Sequence, residues 1–299
     1  MRECIDNYIN YISTIRNYSD YTEKNYQLDL DNYEDYIKKH RLNFKTINYD
    51  NIIKYNKYLK EELKLSASSL SRHLSTLRSF YNYLLSENII TSNPFNLISS
   101  PKKASKLPNY MKYSEFEEMI NSCDETALGI RNRCLLEVLL STGARIGELI
   151  NIELDDIDLS NKEIKVLGKG NKERIVYLNN HAVESIKNYL NNSRSELLGN
   201  KKSNKLFINH IGGNLTTRGV RTILDNIITK SSLSIKVTPH MFRHTFATML
   251  LNEGCDLKSV QELLGHVNMS TTQIYTHVTG EYIKNIYLHS HPRSKNTSK

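Results

Sequence analysis

The chain has 299 residues, of which 24% are charged and 39% are hydrophobic, a composition typical of globular proteins and not of disordered ones. Lysine and arginine number 40 against 32 aspartate and glutamate residues, and this net charge of +8 indicates a polyanionic partner. The sequence lacks a run of ~18 apolar residues, which excludes a membrane span. It also lacks an apolar leader within residues 1–15 and any CxxC pair. These features favour a cytoplasmic protein over an exported, zinc-binding or disulfide-stabilised one.

Length and a change of composition predict two domains. A chain of about 300 residues exceeds the usual size of one domain. Residues 94–108 contain three lysines and three prolines. Because the prolines cannot continue a helix, we place a linker there. The predicted domains are therefore 1–93 and 109–299. Basic residues exceed acidic ones in both halves, by 16 to 12 up to residue 107 and by 24 to 20 after it.

The N-terminal domain is predicted to be a four-helix unit. Apolar and tyrosine side chains recur every three or four residues on three segments, which places one buried stripe on each helix. The clearest stripe, preceded by serines that can act as N-caps, consists of Leu70, Leu74, Leu77, Tyr81 and Leu84. Arg72 and Arg78 lie on or beside the opposite face of this helix. We interpret that face as a candidate contact for a polyanion and most of the tyrosines as core residues.

The C-terminal domain is predicted to be mainly α-helical with a small antiparallel sheet. A capping box of Ser114 and Glu117 opens its first helix. A longer apolar helix, Ala127–Thr142, ends at Gly143, which is typical of a left-handed C-cap. Beyond the sheet the pattern is helical again to the end of the chain.

The predicted sheet carries the first candidate for chemistry. Two strand-like segments, Glu163–Leu167 and Arg174–Leu178, are joined by turn residues 168–171. Lys169 lies at the tip of this hairpin. A lysine on such a turn is usually solvated, but a hairpin tip can also carry an ammonium group into a groove and offer it as a proton donor.

Two further segments place basic residues at helix starts. Arg145 follows a helix-ending glycine and begins a new helix, where a cation opposes the helix dipole unless an anion is bound there. Pairing with Glu148 is the alternative interpretation. His240 and Arg243 are three residues apart at the start of another helix and so share a face. His244 could join His240 on a metal, but the sequence shows neither HExxH nor a third ligand.

The last segment contains His266 and, nine residues later, Tyr275. Each of these signals is weak alone, but two arginines, a lysine, two histidines and a tyrosine together supply what phosphoryl transfer needs without a metal. Arginine binds non-bridging phosphate oxygens bidentately, a lysine or histidine protonates the departing oxygen, and a tyrosine attacks phosphorus. Because the tyrosine pKa is ~10, the attack needs cationic neighbours.

Six residues, in their order and spacing, resemble the active-site set of the tyrosine recombinases, the phage-integrase superfamily. They are Arg145, Lys169, His240, Arg243, His266 and Tyr275. The resemblance covers essentially the whole chain, since residues 66–103 are similar to the end of the family's helical, SAM-like core-binding domain. With two domains and about 300 residues, the chain is most similar to the Xer-type branch, which resolves chromosome dimers at cell division.

This resemblance implies a mechanism. Tyr275 would attack the scissile phosphate of duplex DNA, forming a 3′-phosphotyrosyl link and releasing a 5′-hydroxyl, while the two arginines clamp the non-bridging oxygens. Lys169 would protonate the 5′ oxygen, His240 would assist proton transfer at the nucleophile, and His266 would donate a further hydrogen bond. Bond energy is conserved, so the reaction implies no cofactor, neither metal nor ATP.

The resemblance also implies partners. The two domains would form a C-shaped clamp on DNA, with phosphate contacts from Arg72, Arg78, Lys102 and Lys103. Strand exchange through a Holliday junction implies a tetramer on two duplexes, made of one recombinase or of two different ones, with an external activator as a further partner. A C-terminal helix at residues 280–289 would dock on a neighbouring protomer or, alternatively, close its own domain.

Other functions share part of this pattern. An integrase or transposase of a mobile element would have the same chemistry and would differ in its target DNA. A type IB topoisomerase would use similar residues to relax supercoils, although the Xer-like N-terminal domain argues against it. A non-catalytic DNA-binding protein or a structural protein with a basic surface leaves the ordered set of six residues unexplained.

Overall fold

The computed structural model describes residues 1–16, 20–98, 110–168, 172–265 and 280–294. The chain divides into two compact units, Met1–Lys106 and Leu107–Lys299, and each has its own hydrophobic core. The boundaries predicted from the sequence stay predictions, because most of the predicted linker lies outside the described residues. Within the described ranges, no helix is long and apolar enough to cross a bilayer.

Within its described residues, the N-terminal unit has four α-helices, the number that was predicted. They are α1 (Arg2–Thr14), α2 (Asp20–Lys39), α3 (Tyr49–Glu61) and α4 (Ala67–Ser86). Every member of the stripe on α4 is buried, and Ser66 caps this helix by accepting a hydrogen bond from the Ser69 backbone N–H. Five tyrosines of this unit are buried among apolar side chains, which fits their interpretation as core residues.

A buried polar network joins α2 to α4. The Asp29 carboxylate accepts hydrogen bonds from Arg72 Nη1 at 2.5 Å and Thr76 Oγ1 at 2.8 Å, and it lies 3.1 Å from His73 Nδ1. The other ring nitrogen of His73 pairs with the Tyr55 hydroxyl at 2.7 Å. Because each of these buried polar groups has a partner, the network fixes the register of the two helices.

In the part that the structure describes, the C-terminal unit is mainly helical around a three-stranded sheet. Its helices are α5 (Tyr113–Asn121), α6 (Ala127–Thr142), α7 (Ile146–Leu149), α8 (Asn180–Asn192), α9 (Arg194–Leu198), α10 (Thr217–Lys230), α11 (Pro239–Asn252), α12 (Leu257–Leu264) and α13 (Gly280–Ser290). The strands β1 (Ile157–Asp158), β2 (Glu163–Leu167) and β3 (Glu173–Tyr177) pair antiparallel in that order, with Lys165 opposite Ile175. The predicted fold class is therefore confirmed.

Two local predictions for this unit need correction. Helix α5 begins two residues earlier than predicted, because its N-cap is Lys112 and not Ser114, and the side chain of Glu115, not of Glu117, accepts the backbone N–H of this N-cap at 2.7 Å. Strand β3 also begins and ends one residue earlier than predicted, and the sequence did not indicate the two-residue strand β1.

Helix α6 forms the centre of the C-terminal unit. It is buried on nearly all sides between α8 and α11, so it lacks the polar face of a surface helix. It ends at Gly143 with φ of 57°, which confirms the predicted left-handed C-cap. A side chain at this position would also meet the Phe246 ring, since a Cβ would lie 2.6 Å from it. This tight end determines where the chain enters α7.

The C-terminal helix α13 packs on its own domain. Tyr287 is fully buried, and its hydroxyl lies 2.8 Å from Ser141 Oγ on α6. Beyond the helix, Arg293 donates to Glu137 at 2.6 Å and contacts Glu117. The described part of this segment therefore follows the alternative prediction of an intramolecular closing helix, and docking on a neighbour stays a proposal.

The buried His291 makes the stability of this closed end depend on pH. Its Nδ1 accepts the Arg293 backbone N–H at 3.2 Å, which requires a neutral ring, and burial lowers the pKa of His291 to about 4. The unfolded chain binds a proton near pH ~6.5 and the folded chain does not, so stability that is complete above that pH falls as the pH drops toward 4, by at most ~3 kcal/mol.

We expect His291→Gln to flatten this dependence. Urea unfolding of the full chain at pH 7 and pH 5 should show a smaller loss of stability in the variant than in the wild type. His289→Gln, which changes an exposed histidine two residues earlier, in α13, serves as the control and should keep the wild-type dependence. Equal losses in His291→Gln and the wild type would contradict the prediction.

Candidate active site

Helix α7 places Arg145 next to Glu148. The backbone N–H of Arg145 donates to Glu148 Oε2 at 2.8 Å, and its Nη1 donates to Glu148 Oε1, also at 2.8 Å. The pairing of Arg145 with Glu148, which was the alternative interpretation of the sequence, therefore forms. Because the Arg145 side chain is 44% exposed, its guanidinium group can also be reached by an anion from solvent. The pairing orients this arginine without burying it.

Helix α11 carries Arg243, which lies close enough to Arg145 for the two charges to interact. Arg243 is 7% exposed, and it donates to the Gly143 carbonyl at 2.9 Å and to the Leu264 carbonyl at 2.5 Å. Two of its five N–H donors are thus committed to the ends of α6 and α12. Burial, followed by the positive charges of Arg145 and Arg174, lowers the pKa of Arg243 to about 10, so the group stays protonated at neutral pH.

A third arginine at this site was not predicted. Arg174, on β3, donates to Glu148 through two parallel bonds, Nη1 to Oε1 at 2.8 Å and Nη2 to Oε2 at 2.9 Å. A signal for it exists in the sequence, because side chains alternate along a strand and Arg174 shares its face with the buried Val176. An arginine on the inward face of a strand indicates a buried acidic partner.

Arg145, Arg174 and Arg243 form an arginine cluster, and the Glu148 carboxylate lies at its centre. Burial would raise the pKa of its carboxyl group, but hydrogen bonds from Arg174, from the Arg145 backbone and from the Arg145 side chain lower that pKa to about 2. Glu148 is therefore ionised throughout the neutral range. Three arginines around one carboxylate leave two net positive charges, which suits a dianionic or trigonal-bipyramidal phosphate group.

The structure describes the positions of three of the six predicted catalytic residues. It brings Arg145 and Arg243 together, and it places the exposed His240 in the first turn of α11, three residues before Arg243. Lys169, His266 and Tyr275 lie outside the described residues. Their predicted roles therefore stay predictions.

The predicted DNA contacts of the N-terminal unit already have intramolecular partners. Arg72 is bound to Asp29 within the buried network, and Arg78 donates to the carbonyls of Phe95 at 3.3 Å and Ile98 at 2.7 Å. The Arg72 side chain stays 36% exposed. Their contact with DNA stays a prediction. Lys102 and Lys103 lie outside the described residues.

Family models match both units. The model of the phage integrase family matches residues 109–281, and the model of the phage integrase N-terminal SAM-like domain matches residues 5–88. The first of these matches contains all six predicted catalytic positions, and the second contains Arg72 and Arg78.

Curated relatives and solved structures agree with these matches. The chain is 43% identical over 291 residues to the tyrosine recombinase XerC of Anoxybacillus flavithermus, covering 96% of this chain and 97% of that protein. It is 41% identical over 293 residues to the tyrosine recombinase XerC of Bacillus subtilis, covering 96% and 95%. A crystal structure of the XerH site-specific recombinase bound to palindromic difH substrate, a post-cleavage complex, is similar with a TM-score of 0.69 and 26% identity, over 92% of this chain and 78% of that one.

Proposed function

The chain belongs to the phage integrase family and is a Xer-type tyrosine recombinase, and from this premise we propose which residues carry its reaction and which DNA event it serves. Tyr275 attacks the scissile phosphate of duplex DNA and forms a 3′-phosphotyrosyl link. The released 5′-hydroxyl of one strand then attacks the phosphotyrosine of its partner, so that the phosphodiester is restored.

The arginines bind the phosphate in this proposal. Arg145 reaches the non-bridging oxygens from the exposed side, and Arg243 reaches them from the buried side. Their charge neutralises the oxygens as the phosphorus becomes five-coordinate, in a site whose donors are held in place before the substrate arrives. The observation that carries the assignment is this fixed pair, with Arg145 held by Glu148 and Arg243 held by two helix ends.

The other members of the catalytic set transfer protons or donate a hydrogen bond. Lys169 acts as the general acid for the 5′ oxygen, and His240 assists the loss of the tyrosine proton. His266 donates a hydrogen bond to a non-bridging oxygen. All bonds broken are replaced by bonds formed, so the reaction proceeds without ATP, metal or cofactor.

The biological role that we propose is the resolution of chromosome dimers at cell division, in the cytoplasm. The curated relatives named tyrosine recombinase XerC and the XerH complex with its difH substrate support this role. Two rounds of strand exchange require four nucleophiles, hence four protomers on two sites, in which a second recombinase and an external activator can take part. Integration or transposition of a mobile element is the alternative role for the same chemistry.

The experiment begins with chromosomal DNA, because the recognition sequence is not known. Fragments are incubated with the full chain in EDTA, protein–DNA adducts are recovered under denaturing conditions, and the joined ends are sequenced. The recovered site is then cloned as two direct repeats on a plasmid. We expect resolution into two circles in EDTA, with no change in a plasmid that lacks the site.

Two outcomes would contradict the proposal. Relaxation of the plasmid without the site would instead indicate a topoisomerase. Binding of the site without any adduct would indicate a DNA-binding protein without recombinase activity. A recovered site close to the terminus of chromosome replication supports dimer resolution, whereas sites at the ends of a mobile element support integration.

A further inference from the structure

The contacts of Arg174 within the arginine cluster are not explained by a contribution to folding stability alone. Its two Nη atoms bind both oxygens of Glu148, and its side chain is 16% exposed. Its Nε is buried with no hydrogen-bond partner in the described part of the chain. A buried donor without a partner lowers stability, so the position of Arg174 calls for a functional explanation.

Arg174 also packs against the residue that follows α12. A Cβ at position 265 would lie 2.8 Å from Arg174 Cδ and 2.9 Å from its Nε, so Gly265 leaves the space that the guanidinium group fills. The backbone of the preceding Leu264 accepts the hydrogen bond from Arg243. Arg174 is therefore confined on one side by Glu148 and on the other by the segment that holds Arg243.

The two oxygens of Glu148 divide their four hydrogen bonds equally between two arginines. Oε1 accepts from the Nη1 atoms of Arg145 and Arg174, and Oε2 accepts from the Arg145 backbone and Arg174 Nη2. The bidentate pair with Arg174 fixes the plane of the carboxylate, because a planar guanidinium group matches both oxygens at once. The Glu148 oxygen that receives the Arg145 side chain is thereby fixed in space.

We infer that Arg174 is a positioning residue, which orients the Arg145 guanidinium group toward the scissile phosphate by fixing the Glu148 carboxylate. In this role Arg174 acts through Glu148 and not on the phosphate: both of its Nη atoms donate to Glu148, and its side chain is 16% exposed against 44% for Arg145. This inference rests on the proposed role of Arg145. It predicts that a loss of Arg174 slows cleavage without weakening DNA binding, and only while Arg145 is present.

The test is a double-mutant cycle of Arg174→Gln and Arg145→Lys. Single-turnover formation of the covalent adduct is measured with the full chain on a nicked substrate that carries the recovered site, together with the Kd for the same DNA. Loss of exact orientation slows reactions by on the order of 10–100-fold, and we expect Arg174→Gln to slow adduct formation by this factor with Kd unchanged within about 3-fold. In the Arg145→Lys background, Arg174→Gln should change the rate by less than about 3-fold.

Two further variants separate positioning from folding. Arg194→Gln removes another buried arginine, one that donates to the carbonyls of Leu206, Ser203 and Lys205, and it should keep the wild-type rate. Arg174→Lys keeps the charge but offers no planar fork, so its rate should lie between those of the wild type and Arg174→Gln. If Arg174→Gln does not fold, as thermal unfolding would show, Arg174→Lys replaces it in the cycle.

The outcomes distinguish this inference from the proposed function. The positioning role is wrong, and the proposed function stands, in two cases. In the first, Arg145→Lys slows cleavage and the fold-changes of the two substitutions multiply in the double variant. In the second, Arg174→Gln leaves the cleavage rate unchanged. If Arg145→Lys itself leaves cleavage unchanged, the assignment of Arg145 fails, and the inference fails with it. A loss of DNA affinity in Arg174→Gln would indicate direct contact with the phosphate, which also overturns the inference.

Discussion

Tyr275→Phe is expected to abolish the covalent protein–DNA adduct while leaving DNA binding intact. The substitution removes only the hydroxyl oxygen that would become bonded to phosphorus. Loss of a covalent nucleophile lowers enzymatic rates by up to ~10⁶-fold, so no adduct should be detected on a nicked substrate within the time that the wild type needs for completion. Denaturing electrophoresis detects the adduct, and a gel-shift titration measures the binding.

The matched control is Tyr282→Phe, seven residues further along the chain. It makes the same chemical change without removing the proposed nucleophile, and we expect it to form the adduct at the wild-type rate. An adduct that persists in Tyr275→Phe would show that another residue attacks the phosphate. Loss of the adduct in Tyr282→Phe and not in Tyr275→Phe would move the assignment to that residue.

Arg243→Gln is expected to reduce cleavage by on the order of 10³-fold. Removal of a single hydrogen-bond donor to a developing oxyanion costs about 10²–10³-fold in other enzymes, and this substitution removes a full charge as well. It also leaves the carbonyls of Gly143 and Leu264 with weaker partners, so a loss of ~1–3 kcal/mol in stability accompanies the kinetic effect. Single-turnover kinetics and urea unfolding measure the two quantities separately.

Arg131→Gln distinguishes these two effects. Arg131 is 4% exposed and donates to the Ile208 carbonyl at 2.9 Å, so its loss costs stability in the same way. It lies outside the arginine cluster, and cleavage should remain within about 3-fold of the wild-type rate. Equal kinetic defects in Arg131→Gln and Arg243→Gln would mean that the second defect reflects misfolding and not the loss of phosphate contacts.

Helical and strand patterns along the chain were sufficient to predict most of the fold. The spacing of side chains predicted the stripe on α4 and the bounds of β2, and the glycine at position 143 predicted the left-handed C-cap of α6. All of these are local properties of the sequence. The errors are local as well. The start of α5 is one of them, because the pattern does not show that the N-cap is Lys112, two residues before Ser114.

Contacts between distant segments were harder to predict. Arg243 donates to Gly143, 100 residues away, and only the combined motif indicated that the two arginines would meet. Arg174 lies 26 residues from Glu148 and belongs to no motif that we considered. The sequence also did not indicate that Asp29, 43 residues before Arg72, binds its guanidinium group.

The ends of α6 and α12 have a consequence for how Arg243 responds to substrate. Both carbonyls that hold it belong to C-terminal ends of helices, where backbone dipoles sum to a partial negative charge. Arg145 and Arg174 share a carboxylate, whereas Arg243 is held by these dipoles alone among its described hydrogen-bond partners. The charge of Arg243 also interacts with Glu148, but this carboxylate is shared with Arg145 and Arg174, so Arg243 lacks a full counterion among the described residues. An incoming phosphodiester can act as its counterion, so that the substrate itself completes the neutralisation of the site.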